Sequence, residues 1–331
     1  RRQRQMCIRD RRGNRDGKVT YAPDAMLAET LKFMEENRNR PMFILFSTNL
    51  PHGPVDIPPA ENKYAGHPAI RQAYAGAAGG NRECAGAAEE YASMVDKLDR
   101  QVGAILAQVH KLGLEKRTII VFSSDNGHEL YYRTDKERGR GLNCHGGVLD
   151  GTGELLDVFR GSRGLIGQKN AMVNLAGLKW TNHEGGIRVP LIVSWPGTVP
   201  HGKVCRSLVA NYDHMATFAE LAGVGMPEGK DSVSYKNMLF GKPSSQRDYV
   251  VVDHTVITGD GWKLTHKQDK WLLFQISSDP EERHNLAETR KDQLERLQAI
   301  YRKEAGSPRK DRQKPEQPRK TALFPPLAFA G

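Results

Sequence analysis

The feature that most narrows the possible folds is a long amphipathic stripe that runs almost directly into a short apolar segment. Tyr91, Met94, Leu98, Val102, Ile105, Val109 and Leu112 recur at spacings of three and four, the period of one helix face, over about Ala87 to Leu112. Gly113 stands just past the last of them, a favoured stop. The stripe by itself implies core packing and nothing more. The segment TIIVFSS (118–124) follows and ends at Asp125-Asn126-Gly127. A second apolar run, MFILFS (42–47), comes before the helix and reads as a buried strand. Ahead of it, Leu27, Leu31 and Met34 mark another helix that starts near Pro23 and Asp24 and stops before Pro41. Strand, helix, strand at this scale is the pattern of a parallel sheet. VPLIVSW (189–195) adds a strand, and YDHMATFAELAG (212–223) adds a helix ending at Gly223. The expected class is α/β, a mostly parallel sheet flanked by helices.

After about residue 245 the character changes. DYVVVDHTVI, GWKLTHK and WLLFQIS predict a small antiparallel sheet, and a polar helix follows over 288–304. Residues 75–87 are rich in Gly and Ala and read as irregular. The Gly-rich insertion over 130–177 is long enough to be either functional or disordered. The expected division is a non-native or disordered leader (1–17), a partial α/β core (18–245), a small α+β subdomain (246–305) and a basic, Pro-rich tail (306–331). The leader RRQRQMCIRDRRGNRDG has no apolar stretch of the kind that a secretory signal needs, and its start suggests a piece of a longer chain.

The net charge of +10 would invite nucleic acid if it were spread over a face, but it sits at the ends. Residues 1–18 carry +6 and residues 302–320 carry +5, so the body between them is close to −1. Basic ends on a near-neutral body read as solvated tails, and no aromatic-and-basic pattern accompanies them. No nucleic-acid partner and no membrane span are expected, the latter because no run of 18 apolar residues exists. Cys7, Cys84, Cys144 and Cys205 are far apart and lack metal-ligand spacing, so they leave the compartment open.

Three motifs lie at or near strand ends, where open α/β sheets place their ligands. Asp125 and Asn126 follow one apolar strand and offer a carboxylate and an amide oxygen, donors that suit a hard cation such as Ca²⁺ or Mg²⁺. The bland alternative is an ordinary turn. His52, in STNLPHGP, lies just beyond another strand, and Lys179, in GLKWTNHEGGIRVPLIV, is on the loop leading into a third. A histidine and a lysine suit proton transfer and anion stabilisation, though either alone is a commonplace surface residue.

Taken in order, these motifs resemble the sulfatase family, the formylglycine-dependent arylsulfatase type of the alkaline phosphatase superfamily. The likeness runs from about Gly17 to Ala287 and is carried by FMEENRNRPMFILFSTNLPHGP, LDRQVGAILAQVHKLGLEKRTIIVFSSDNG, GLKWTNHEGGIRVPLIVSWPG, YDHMATFAELAGVGMPEGKD and SDPEERHNLAE. The resemblance implies an alkaline phosphatase-like fold and hydrolysis of a sulfate ester, borne by a small molecule or a polysaccharide. It implies that Asp125 and Asn126 are the second pair of calcium ligands and that His52 contacts the sulfate and the leaving-group side. Lys179, first residue of Lys-x-Thr-x-x-Glu-Gly-Gly, would hold a sulfate oxygen and the ester oxygen. Glu184, Gly185, Gly186 and Arg188 read as shaping the loop, His183 as packing, and His128 and Glu129 as solvated loop residues. NCHGGVLD (143–150) has poor spacing for a second metal site, and no partner can be named for His201, His214, His254 or His266.

The likeness also has a gap. The family's nucleophile is a formylglycine made from the Cys of Cys-x-Pro-x-Arg, and that motif is absent; CIRDR (7–11) has Arg9 in place of Pro and reads as accidental. The first calcium-binding Asp-Asp pair is missing too. The expectation is therefore the C-terminal portion of a sulfatase, inactive by itself and at best a weak binder of calcium, with its formylglycine supplied from outside this chain. Export to the periplasm or medium follows from the resemblance, with any signal peptide outside this chain. Two rivals remain: a phosphodiesterase or phosphonate hydrolase of the same superfamily, which Asn126 in place of a histidine disfavours, and a noncatalytic glycan-binding relative.

Overall fold

The computed structural model describes residues 20–52, 57–68, 70–71, 82–127, 175–176, 179, 181–226, 228–242, 247–267 and 270–306. Helix α1 (Ala22–Glu36) has Pro23 and Asp24 in its first turn and closes at Asn37, whose backbone N–H and side-chain Nδ2 both donate to the Phe33 carbonyl. Helix α2 (Arg82–Lys111) starts five residues before the expected Ala87, so part of the Gly/Ala-rich stretch expected to be irregular is helical. It ends where Gly113 adopts φ +65°, with Gly113 N–H bonded to His110 O at 2.9 Å and Leu114 N–H to Val109 O at 3.0 Å. That double closure requires a left-handed residue, which glycine takes without penalty. Met34 of α1, Val109 and Leu114 form one core, with Leu31, Ile105 and Leu112 against it.

Strand β1 (Ile120–Ser123) pairs with β2 (Leu191–Ser194), which follows the short helix α3 (Glu184–Ile187). The pairing is antiparallel, with Val121 opposite Val193 and Phe122 opposite Ile192. Among the described residues the strand pairings are antiparallel, so the parallel ladder expected of 42–47, 118–124 and 189–195 is not shown. MFILFS has no strand assignment. Its Met42 packs on the α1–α2 core, while Phe43 and Leu45 are 77% and 79% exposed. The pleat alternates side chains, but a run reads as a buried strand only when neighbours cover both of its faces.

Helix α4 (Asp213–Leu221) is anchored by the buried Asp213, which accepts from the backbone of Ala210 and Val233 and pairs with Arg247. Helix α5 (Lys236–Leu239) follows. Strands β3 (Tyr249–Val252), β4 (Thr255–Thr258), β5 (Trp262–Lys267) and β6 (Lys270–Gln275) form an antiparallel meander in sequence order. Helix α6 (Lys291–Gly306) packs Leu297 against Val256, Trp262, Leu264 and Leu273. Because strand side chains alternate, Lys263 leaves β5 on the face opposite Trp262 and Leu264. No helix among the described residues is long and apolar enough to cross a membrane.

Candidate active site

The loop that carries His52 is held by a face of α2 that apolar periodicity does not reveal. Glu89, Ser93, Lys97 and Gln101 are all buried, four residues apart and hence stacked along one side of the helix. Each has partners. Gln101 donates to Pro23 O at 2.8 Å and accepts from Thr48 Oγ1 at 3.2 Å. Lys97 pairs with Asp24 at 2.6 Å and with Glu61. Ser93 donates to Asn62 Oδ1 at 2.9 Å and accepts from the Tyr64 N–H at 3.2 Å, and Glu89 pairs with Arg71 at 2.8 Å. Burial pushes the Glu89 carboxyl up, but the Arg71 hydrogen bond, the Gly66 backbone N–H and the Arg71 charge together outweigh it and hold the group below its ordinary value. His52 lies between the staples at residues 48 and 61, and its own N–H donates to Asn49 O at 2.8 Å. Leu50 and Ile57 on either side pack against Met94.

Across 127 residues of sequence, Lys179 Nζ comes to 2.8 Å from His52 Nε2. An ammonium can only donate, so the lysine as cation places its proton on the Nε2 lone pair and leaves the imidazole proton on Nδ1. Two residues singled out separately from sequence therefore meet in one place.

At the end of β1, Asn126 Nδ2 donates to the Gly127 carbonyl at 2.7 Å, which leaves Oδ1 as the acceptor of that amide. Asp125 is exposed and its carboxylate has no ion-pair partner among the described residues. Gly127 is buried and donates to Gly186 O at 2.8 Å. A Cβ added at Gly127 would lie 1.8 Å from the Gly185 carbonyl oxygen, so no other residue fits without moving the Glu184-Gly185-Gly186 turn. The Asp125-Asn126 end of β1 is thus fitted against the same loop that carries Lys179. Asp125 and Asn126 suit calcium in the kind of donor they offer. Two side chains, with at most three oxygens, fall short of the six to eight that the ion takes, and no group of three metal-ligating side chains exists among the described residues.

The Glu184 turn is secured from behind. Lys263 Nζ sits 3.1 Å from Glu184 Oε1 and 2.9 Å from Glu282 Oε1, with all three side chains buried. Glu282 Oε1 also accepts the Glu184 N–H at 2.7 Å, while Oε2 meets His183 Nδ1 at 2.8 Å. Burial raises the Glu282 carboxyl, but the His183 hydrogen bond and the Lys263 charge prevail and hold it below the usual carboxylate range. Gly185 N–H donates to Ala176 O at 2.6 Å, and Ala176 N–H to Pro280 O at 3.3 Å. His183, expected to pack, is therefore a hydrogen-bonding member of this network, and Glu184 shapes the loop as expected. Lys263 carries no sequence signal, and Glu282, although it lies within SDPEERHNLAE, is not singled out by it. Lys263 reads as the solvent-facing position of an alternating strand, and only a loop about eighty residues away buries it.

The other candidates fall outside the site or outside the described residues. His128, Glu129 and 143–150 are in the latter group. His214 Nδ1 meets Tyr235 Oη at 2.6 Å, His254 Nδ1 meets Tyr301 Oη at 3.0 Å, and His266 packs on Trp271 with ring centroids 4.6 Å apart. His201 is exposed.

A histidine and a lysine from distant parts of the chain thus meet, and a carboxylate and an amide stand at a strand end fitted against the loop that carries the lysine. The chain belongs to the sulfatase family: the family model "Sulfatase" matches residues 4–224, and a second model, "N-sulphoglucosamine sulphohydrolase, C-terminal", matches residues 179–306. An N-acetylgalactosamine-6-O-sulfatase of Bacteroides thetaiotaomicron is 26% identical over 226 residues, covering 62% of this chain and 39% of the relative. The steryl-sulfatase of Rattus norvegicus is 27% identical over 191 residues, covering 56% of this chain and 28% of the relative. Among solved structures, one described under the metabolism of multiple glycosaminoglycans by Bacteroides thetaiotaomicron superposes with a TM-score of 0.63 at 20% identity, over 86% of this chain and 54% of that one. That likeness is one of fold. The chain spans well under half the length of these curated relatives.

Proposed function

We propose that this chain holds the leaving-group side of a sulfate-ester hydrolase whose formylglycine nucleophile lies on polypeptide outside these 331 residues. The observation that carries the reading is the contact of Lys179 with His52 at 2.8 Å. Hydrolysis breaks the bond between sulfur and the ester oxygen, and negative charge grows on that oxygen as the alcohol departs. Lys179 would set an ammonium donor, a fixed positive charge, beside that oxygen, and such preorganised charge is worth most in the transition state. His52 would accept one hydrogen bond of that ammonium at Nε2 and so aim its remaining donors at the leaving oxygen. Asp125 and Asn126 would hold calcium, which neutralises sulfate oxygens when bound. A sulfated sugar is the substrate class we favour, supported by the N-acetylgalactosamine-6-O-sulfatase among the relatives. Residues 18–245 would form the core and 246–305 the subdomain behind the Glu184 turn. Further strands of the polypeptide would complete a mostly parallel sheet, a reading supported by the exposed Phe43, Leu45 and Ile192. Export from the cytoplasm accompanies this reading.

The test is made on the longest polypeptide that the reading frame encodes, with matched aryl sulfate and aryl phosphate esters. The sulfate should be the preferred substrate, and Lys179→Ala or His52→Ala should each lower kcat/KM by about a hundredfold or more. Preference for phosphate, or a frame with no Cys-x-Pro-x-Arg, would overturn the proposal. The 331-residue chain alone should show no turnover, and calorimetry should find it binding calcium more weakly than the longer polypeptide does.

A further inference from the structure

Three separate links join the candidate site to the C-terminal sheet. Lys263, on β5, reaches Glu184; Glu282, beyond β6, takes both the Glu184 N–H and His183; and Pro280 O accepts from Ala176, whose own carbonyl holds Gly185. The Glu184–Gly186 turn in turn receives Gly127, the residue next to Asn126. On its other side the chain runs back through Asn182, which donates to Asp253 of the β3–β4 turn at 3.4 Å, to Lys179. We propose that Lys263 and Glu282 are positioning residues: the buried face of the C-terminal sheet, reaching through the Glu184 turn, sets where Lys179 stands against His52 and where the Asp125-Asn126 end of β1 lies. The inference rests on reading residues 52, 125, 126 and 179 as one site.

The 331-residue chain is sufficient for the test, which reads geometry and no turnover. In Lys263→Met, amide exchange at Gly127 and Gly185 should accelerate about tenfold or more, because local opening there becomes easier, and the His52 ring signals in NMR should shift. The comparison is Thr255→Val, which removes the buried 2.8 Å Thr255–Thr265 hydrogen bond from the same sheet without touching the network. It should speed exchange in β4 and β5 and leave Gly127 and His52 as they are. Unchanged Gly127 and His52 in Lys263→Met would overturn the proposal, as would equal changes in Thr255→Val. If Lys263→Met does not fold, Glu282→Gln keeps an acceptor for the Glu184 N–H and carries the same test; a Gln variant with native Gly127 exchange also overturns it. A longer polypeptide that fails to hydrolyse sulfate esters would sink the functional reading and leave these measurements standing.

Discussion

Gly127 and His214 illustrate how single residues in this chain are constrained from opposite directions. Gly127 is constrained by space: the nearest atom to an added methyl would be a backbone oxygen, which cannot rotate away as a side chain would. Gly127→Ala should therefore cost about 3 kcal/mol in urea unfolding, the upper part of the range for overpacking, because two backbones must separate. Alanine at the open Gly103 of α2 should cost nothing and provides the comparison. His214 is constrained by its surroundings. Burial lowers its tendency to take a proton, with the Asp213 charge opposing only in part, and Tyr235 Oη stands against Nδ1. Its folded value thus lies below the unfolded value of about 6.5, so the unfolded chain takes up the proton first. Stability is then complete above about pH 6.5 and is lost as pH falls below it. Denaturation followed from pH 7.5 to 5.5 should show that loss, and His214→Gln should flatten it.

At the scale of elements, both faces of α2 matter, and only one was legible beforehand. The apolar stripe identifies the helix because its period is local. The polar stripe of Glu89, Ser93, Lys97 and Gln101 has the same four-residue spacing, yet it reads as a solvated face until the loop over 48–71 covers it, and nothing in the period of either segment announces that contact. DYVVVDHTVI, one of the three segments expected in the small sheet, is a hairpin of β3 and β4, with Asp253 at φ +50° in the turn. A small antiparallel C-terminal sheet was legible from three apolar segments, though it has four strands, and Lys263 was not, since the alternation of β5 assigns it to water. Helix α4 adds a further prediction. Asp213 is 2% exposed and depends on Arg247 for its positive partner, so Arg247→Met should cost about 3 to 5 kcal/mol by leaving a buried charge unpaired. Thermal or urea unfolding of the variant measures it; a cost below 1 kcal/mol would show that the backbone donors at Ala210 and Val233 suffice.

At the scale of the whole molecule, the site draws on sequence from residue 48 to residue 282, so its parts report on one another. Glu282 is the most distant of them. Its folded carboxyl lies below the ordinary value, so its contribution to stability is present above about pH 4.5 and lost as pH falls through the folded value. Acid titration of the native chain, followed by exchange at Gly185, should therefore loosen the Glu184 turn at a pH where α1 and α2 are still packed. The shared ion network has a further consequence for anyone who would exchange C-terminal modules between related chains to change what they act on. A junction near residue 245 looks natural from the change in sequence character, yet it separates Glu184 and His183 from the Lys263 and Glu282 that hold them. A graft made there inherits a buried charge imbalance unless those four positions travel together, so the unit that can be transplanted is a set of residues scattered over a hundred positions and not a contiguous segment.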